Sequence, residues 1–253
     1  MTRRRGGRKA KVAIRSAPLS EKSKPVHPGE SGGQYKPLTD EGVGDIIENS
    51  FRILEEIGFN QATPHCIETC TAFGAVMSDD GRLRFPREVV KKAIEISNKD
   101  LILYAQNPAN DLHVNGSRVY FATAGAAVMI ADAETKTYRE SMAQDLYDMS
   151  RIADTCEHIH IFQRTCVLND IKDNYAMDLN TTYNCVMGTT KHVGSSWTEA
   201  HHLEKTLRLL HLMAGGEEAW RMRPFVSQSN CFVVPPMKFA EESLECLRIA
   251  VEG

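Results

Sequence analysis

No apolar run in this chain approaches the roughly 20 residues that cross a bilayer, so a spanning helix is not expected. The basic N-terminus is not followed by an apolar stretch and does not read as a secretory signal. GxGxxG, a Walker loop, GxSxG, HExxH and CxxC are all missing. Their absence removes the motif-level argument for dinucleotide binding, P-loop phosphoryl transfer, a serine-hydrolase elbow, a zinc-protease helix and a dithiol redox pair. An excess of one charge is missing too. The balance of 30 basic and 33 acidic residues leaves −3, which gives no reason to expect nucleic acid as the main partner.

The composition that remains is that of a globular protein, with 42% hydrophobic and 25% charged residues. At 253 residues it can form one large domain or two small ones. The seven cysteines, at 66, 70, 156, 166, 185, 231 and 246, are odd in number in a long chain. Reduced thiols in a cytoplasm fit this better than a disulfide framework. Cys66 and Cys70 share a helix face, either as half a metal site or as small apolar residues. No matching pair lies nearby, and no metal is assigned.

Three regions follow from the patterning. Residues 1–37 form an arm expected to be flexible, carrying Arg3, Arg4, Arg5, Arg8, Lys9, Lys11, Arg15, Lys22 and Lys24. It cannot bury enough apolar surface to fold alone, and it also carries Val12, Ile14 and Leu19, which suit packing over its own or a partner subunit. Residues 38–119 read as a helix-and-hairpin cap. Thr39 caps a helix with Ile46, Ile47, Phe51, Leu54 and Ile57 at helical spacing, and Gly58 stops it. Thr63-Pro64 and Pro86 open two more helices. Asp80-Gly81 and Asn115-Gly116 mark hairpins, the second joining Leu112–Val114 to Arg118–Phe121.

Residues 120–253 alternate strand and helix. Strands are expected at Tyr120–Thr123, Ile159–Arg164, Thr190–Val193 and Phe225–Val234. A hairpin insert spans Val128–Ala131 and Thr137–Arg139. Helices are expected from a Ser141 cap, over Asp178–Met187, over Ala200–Ala214 and over Phe239–Val251. Such alternation implies parallel strands with right-handed crossovers. The spacing of roughly 33 residues per unit is that of a βα repeat. The fold class is therefore α/β, read as the first four units of a (β/α)₈ TIM barrel. An open doubly wound sheet is the runner-up, and it lacks its glycine-rich loop.

Function in a barrel gathers at the C-terminal ends of strands. That rule selects Thr123, Gln163, Arg164, His192, Ser229 and Asn230 as substrate-binding candidates, with Lys191, Ser195, Ser196 and Cys231 beside them. Arg164 has an alternative as a structural ion pair, and His192 as a satisfied core histidine. His201-His202 looks solvent-facing at a helix start, and His158 and His160 are two apart on a strand start. Spacing and composition name no reaction and no catalytic residue.

Several stretches carry a resemblance. They are Arg3-Arg4-Arg5-Gly6-Gly7-Arg8, Phe121-Ala122-Thr123-Ala124-Gly125-Ala126-Ala127, Asp145-Leu146-Tyr147-Asp148 and Phe162-Gln163-Arg164. Thr189-Thr190-Lys191-His192-Val193-Gly194, Arg223-Pro224-Phe225-Val226-Ser227 and Val234-Pro235-Pro236-Met237-Lys238-Phe239-Ala240 complete it. In this order they resemble the trimethylamine methyltransferase family, over about the first half of a member. The resemblance implies a (β/α)₈ barrel that passes a methyl group from a tertiary or quaternary amine to the Co(I) of a corrinoid on a separate protein. It implies no directly bound cofactor, and some members carry pyrrolysine in the second half. A charged amine would favour aromatic faces. Aromatics make up only 7%, and Tyr183 and Trp197 are the candidates. Two alternatives stay open: an unrelated barrel enzyme on a small polar substrate, and a non-catalytic half-barrel that self-associates. A homo-oligomer is expected because half a sheet leaves an unpaired edge.

Overall fold

The structure, a computed structural model, describes residues 30–33 and 35–253. The basic run at 3–24 lies outside the described residues.

Short strand β1 (Glu30–Ser31) comes first. Helix α1 (Asp40–Arg52) starts where Thr39 Oγ1 accepts the Gly42 N–H, and it runs into a π-turn at Ile53–Ile57. Gly58 ends the turn at φ 65°, where an added Cβ would lie 2.3 Å from the Leu83 carbonyl oxygen. Only glycine tolerates both the conformation and the approach. Helix α2 (Pro64–Phe73) is capped by Thr63 and closed by Gly74. The Asp80-Gly81 turn joins β2 (Val76–Met77) to β3 (Leu83–Arg84), and α3 (Arg87–Ile96) follows Pro86.

The second expected hairpin is paired differently. Strand β5 (Leu112–Asn115) pairs antiparallel with β4 (Asp100–Leu103), a strand the periodicity did not show. Strand β6 (Arg118–Val119) pairs with β1 instead. Asn115-Gly116 does turn the chain, but a turn signal names no partner for the strands beside it. The β1 pairing sets Glu30–Ser31 beside Arg118–Val119.

The remaining chain builds a parallel sheet backed by helices. The insert forms β7 (Met129–Ala131) and β8 (Tyr138–Glu140). Then come α4 (Ala143–Thr155), β9 (Ile161–Gln163), α5 (Asn174–Gly188), β10 (His192–Ser195), α6 (Ala200–Ala214), α7 (Glu217–Met222) and β11 (Val226–Gln228). A small hairpin of β12 (Val233–Val234) and β13 (Lys238–Phe239) leads to α8 (Glu241–Glu252). Strand β10 pairs in parallel with β9 on one side and with β11 on the other. Ala122 joins β9 as an isolated parallel bridge. The spatial order is thus the chain order, 122, β9, β10, β11.

Four details depart from expectation. Tyr120–Thr123 is reduced to that bridge because Thr123 Oγ1 takes the ladder's place: it accepts from Gln163 N at 2.9 Å and donates to Gln163 O at 2.6 Å. Ser141 does not cap α4. Its hydroxyl donates to Val167 O, while Met142 is the cap residue and the Asp145 carboxylate accepts the Met142 N–H. Phe225–Val234 is broken after Gln228, and the chain turns back through β12 and β13. Helix α7 follows Gly216, a six-residue helix too short for a periodicity argument.

The main core lies between sheet and helices. Phe162, Val193 and Val226 from the strands meet Leu146, Cys185, Val186, Leu203, Leu207, Leu210, Trp220 and Cys246 from the helices. Each fully buried large side chain contributes about 1.5–3 kcal/mol relative to exposure. A smaller core joins Ala75 and Leu83 to Phe239, with Phe59 4.9 Å from the Phe239 ring. Arg82 clamps it by donating to Ile57 O, Gly58 O and Met237 O. Helices α1, α2 and α3 bury no residue fully.

Candidate functional site

Strands β9, β10 and β11 run in parallel, so their C-terminal ends form one rim. Gln163, Ser195 and Gln228 are the last residues of the three. The rim is built closely. A Cβ on Gly125 would meet Arg164 O at 2.7 Å, and one on Gly194 would meet Gln163 Oε1 at 2.0 Å. Two glycines therefore let segment 122–127 lie against β9 and let the Gln163 amide lie across β10.

The structure brings Thr123, Gln163, Arg164 and Ser229 to this rim. Arg164 N donates to Gly194 O at 3.0 Å, and Ser229 N donates to Ser195 O at 2.7 Å. The half-buried Arg164 side chain has neither ion pair nor hydrogen bond among the described residues. The Ser195 hydroxyl and the Gln228 amide are buried without hydrogen-bond partners among the described residues. These strand ends thus carry a cation and polar groups with unused hydrogen-bonding capacity among the described residues. Asn230 is close by, but its amide donates to Ser243 O at 2.6 Å and ties the strand exit to α8.

His192 is placed elsewhere. It opens β10 and sits at the N-terminal end of the sheet, 2% exposed, with Nδ1 2.6 Å from Tyr104 O. Burial pushes its pKa below the ordinary imidazole value, so the ring is neutral. Lys191 beside it donates to the carbonyls of Ala153, Cys156 and Ile159. That closes the C-terminal end of α4, where a cation is favoured. Loop residues Gln106 and Asn107 bond the carbonyls around Thr189 and Thr190, and Arg223 holds Asp111 with both contacts at 2.8 Å. This end is sealed. The strand begins at His192, not Thr190, because Thr189 and Thr190 are spent on the Asp154 carboxylate. His160 is also at this end, with Nδ1 accepting from Phe121 N. Trp197 is buried in the main core, whereas Tyr183 is exposed on α5.

A polar cluster that the sequence reading missed lies where α5 and α6 meet. Asp178 is fully buried, and its Oδ2 accepts from Thr198 N at 2.9 Å, Thr198 Oγ1 at 2.7 Å and His202 Nδ1 at 2.7 Å. His202 is therefore buried, not solvent-facing. A signal was present: Asp178 falls on the same helical stripe as buried Thr181, Thr182 and Cys185, and an acid in such a stripe needs a partner. Glu199, His201 and His202 offer ligand atoms within 4.8 Å of one another.

Sequence comparison places this architecture. The family described as trimethylamine methyltransferase matches residues 4–253. The chain belongs to that family. It is 28% identical over 217 residues to a trimethylamine methyltransferase of Desulfitobacterium hafniense, covering 85% of this chain and 43% of the relative. A glycine betaine methyltransferase from the same species is 24% identical over 87% of this chain and 45% of its own length. A trimethylamine methyltransferase of Methanosarcina thermophila is 21% identical over 88% and 46%. This chain thus spans a little under half the length of the relatives it matches. No helix among the described residues is long and apolar enough to cross a membrane.

Proposed function

We propose that this chain is part of a cytoplasmic methyltransferase that moves a methyl group from trimethylamine or a betaine-type quaternary amine to cobalt(I) of a corrinoid on a separate protein. The family match over residues 4–253 is the observation that carries this reading. In the transfer the carbon–nitrogen bond breaks, its electron pair stays on nitrogen, and the methyl carbon bonds to cobalt through the metal's own electron pair. The protein's part is to hold the amine in line and keep water away.

The fold proposed for the whole protein is a (β/α)₈ barrel, of which 122, β9, β10 and β11 are four consecutive strands. Their parallel pairing in chain order supports it. Thr123, Gln163, Arg164 and Ser229 are proposed to line the substrate pocket. The Arg164 guanidinium suits the carboxylate of a betaine, and Gln163 positions the ligand from a rigid strand.

The test is methyl transfer by the full-length protein with a Co(I) corrinoid protein and trimethylamine, glycine betaine, proline betaine or carnitine. Absorbance should report methyl–Co(III) with one of them. Competent Co(I) left unmethylated by folded protein with all four would end the reading.

A further inference from the structure

We propose that Glu199, His201 and His202 form a binding site for a divalent transition-metal cation of the zinc type, with Asp178 orienting His202 from behind. The proposal goes beyond the methyl-transfer reading and does not depend on it.

The ligand types come first. Two imidazoles and one carboxylate are the donor set that leaves a zinc-type ion one open coordination position. Glu199 is the cap residue of α6, and His201 and His202 follow in its first turn. Their ligand atoms lie within 4.8 Å of one another. His201 Nδ1 is 3.4 Å from Glu199 Oε2. Two ligands each about 2.0 Å from a tetrahedral ion stand about 3.3 Å apart, so this pair already has the spacing of one edge of the site. The His201 and His202 rings are 4.3 Å apart. Glu199 and His201 are partly exposed, so rotation of their side chains can close the remaining distance.

Buried groups behind the cluster supply an independent observation. A surface pair of Glu199 and His201 would explain those two residues alone. It does not explain why His202 is 3% exposed against an Asp178 that is 0% exposed. The 2.7 Å contact makes His202 Nδ1 donate its proton to Asp178 Oδ2. That fixes the tautomer and leaves the Nε2 lone pair available, the carboxylate–histidine arrangement found behind metal-ligating imidazoles. Asp178 Oδ1 is buried with no hydrogen-bond partner among the described residues. A buried carboxylate is costly unless positive charge lies near it, and a cation on the imidazole it holds would supply such charge.

The position suits a working ion. The cluster follows directly from the C-terminal end of β10, on the side of the sheet where Gln163 and Ser195 end their strands. Its open position would accept water or an oxygen donor of a small molecule.

The experiment is titration of the chelator-treated, untagged chain with Co(II) and Zn(II), followed by the Co(II) visible spectrum and by calorimetry. One ion should bind per chain, with the intense d–d absorption of a tetrahedral site. His201→Ala and Glu199→Gln change exposed side chains and leave the fold intact by circular dichroism. Each should weaken binding by at least about tenfold, and Asp178→Asn by about 10–100-fold where it folds. No binding of either ion at high micromolar concentration would overturn the site. So would stoichiometric binding that both exposed variants leave unchanged.

Discussion

Two regions of this molecule carry amphipathic helices that end up buried to very different degrees. In the sheet region, α4, α5, α6 and α8 press their apolar stripes onto β9, β10 and β11, and Phe162, Leu146, Leu203 and Leu210 are almost fully enclosed. In the region before it, α1 and α3 carry similar stripes, yet Ile46, Ile47, Ile94 and Ile96 are each more than half exposed. A 3.6-residue period decides that a helix forms and which face is apolar. It does not decide whether anything covers that face. The sheet region brings its own cover because each crossover returns a helix onto the strands it connects. The preceding region has only the small core around Leu83 and Phe239, clamped by Arg82.

The comparison can be broken most forcefully at Phe162. Phe162→Ala should cost about 3–5 kcal/mol by denaturant unfolding, because the residue is wholly enclosed and its removal leaves a cavity. A loss below about 1 kcal/mol would mean that the main core is not where the structure puts it. The next effect concerns the join. Arg82→Ala removes donors from three carbonyls in the contact between the two regions and should cost about 1–3 kcal/mol. Limited proteolysis should then cut within 40–99 while the sheet region stays protected. Equal cleavage in both regions would argue against a separable clamp.

Acid should distinguish the regions as well. Burial lowers the pKa of His192, and burial and then Lys191 lower that of His160. A folded imidazole with a depressed pKa takes up fewer protons than the unfolded one. Stability is therefore full above about pH 6.5 and falls as pH drops below it toward the folded pKa. The unfolding midpoint should decline between pH 7.5 and 5.5, and His192→Asn should decline less, since its amide can still donate to Tyr104 O. Identical profiles for the two proteins would remove His192 as a cause. The smallest effect belongs to the uncovered face. Ile47→Ser should change stability by no more than about 0.5 kcal/mol and should reduce self-association seen by light scattering. A large destabilisation would show that this face is packed in solution.

The pattern of residues made much of the architecture legible. Thr39, Thr63 and Gly58 mark helix ends because caps and left-handed glycines act within one turn. Asp80-Gly81 and the strand–helix alternation were readable for the same local reason. Ala200–Ala214 emerged at its full length because its stripe is long and its glycine stop strong. The rim was readable in part. Thr123, Gln163, Arg164 and Ser229 fell where strand ends were expected, whereas His192 did not, since a two-residue shift in a short strand moves a side chain from one end of the sheet to the other.

What the sequence determined by itself, then, is the set of local elements and the polar character of the turns between them, because hydrogen-bonding caps, glycine conformations and apolar periods act over a few residues. Only the tertiary structure decided which strands pair, as with β5 against β4 and not β6, and that Thr123 replaces a ladder bond with its hydroxyl. It alone enclosed His202 against Asp178, two residues 24 positions apart in the chain. Those outcomes depend on contacts between distant segments, whose energies come from burial and from pairing of polar groups that no local pattern contains.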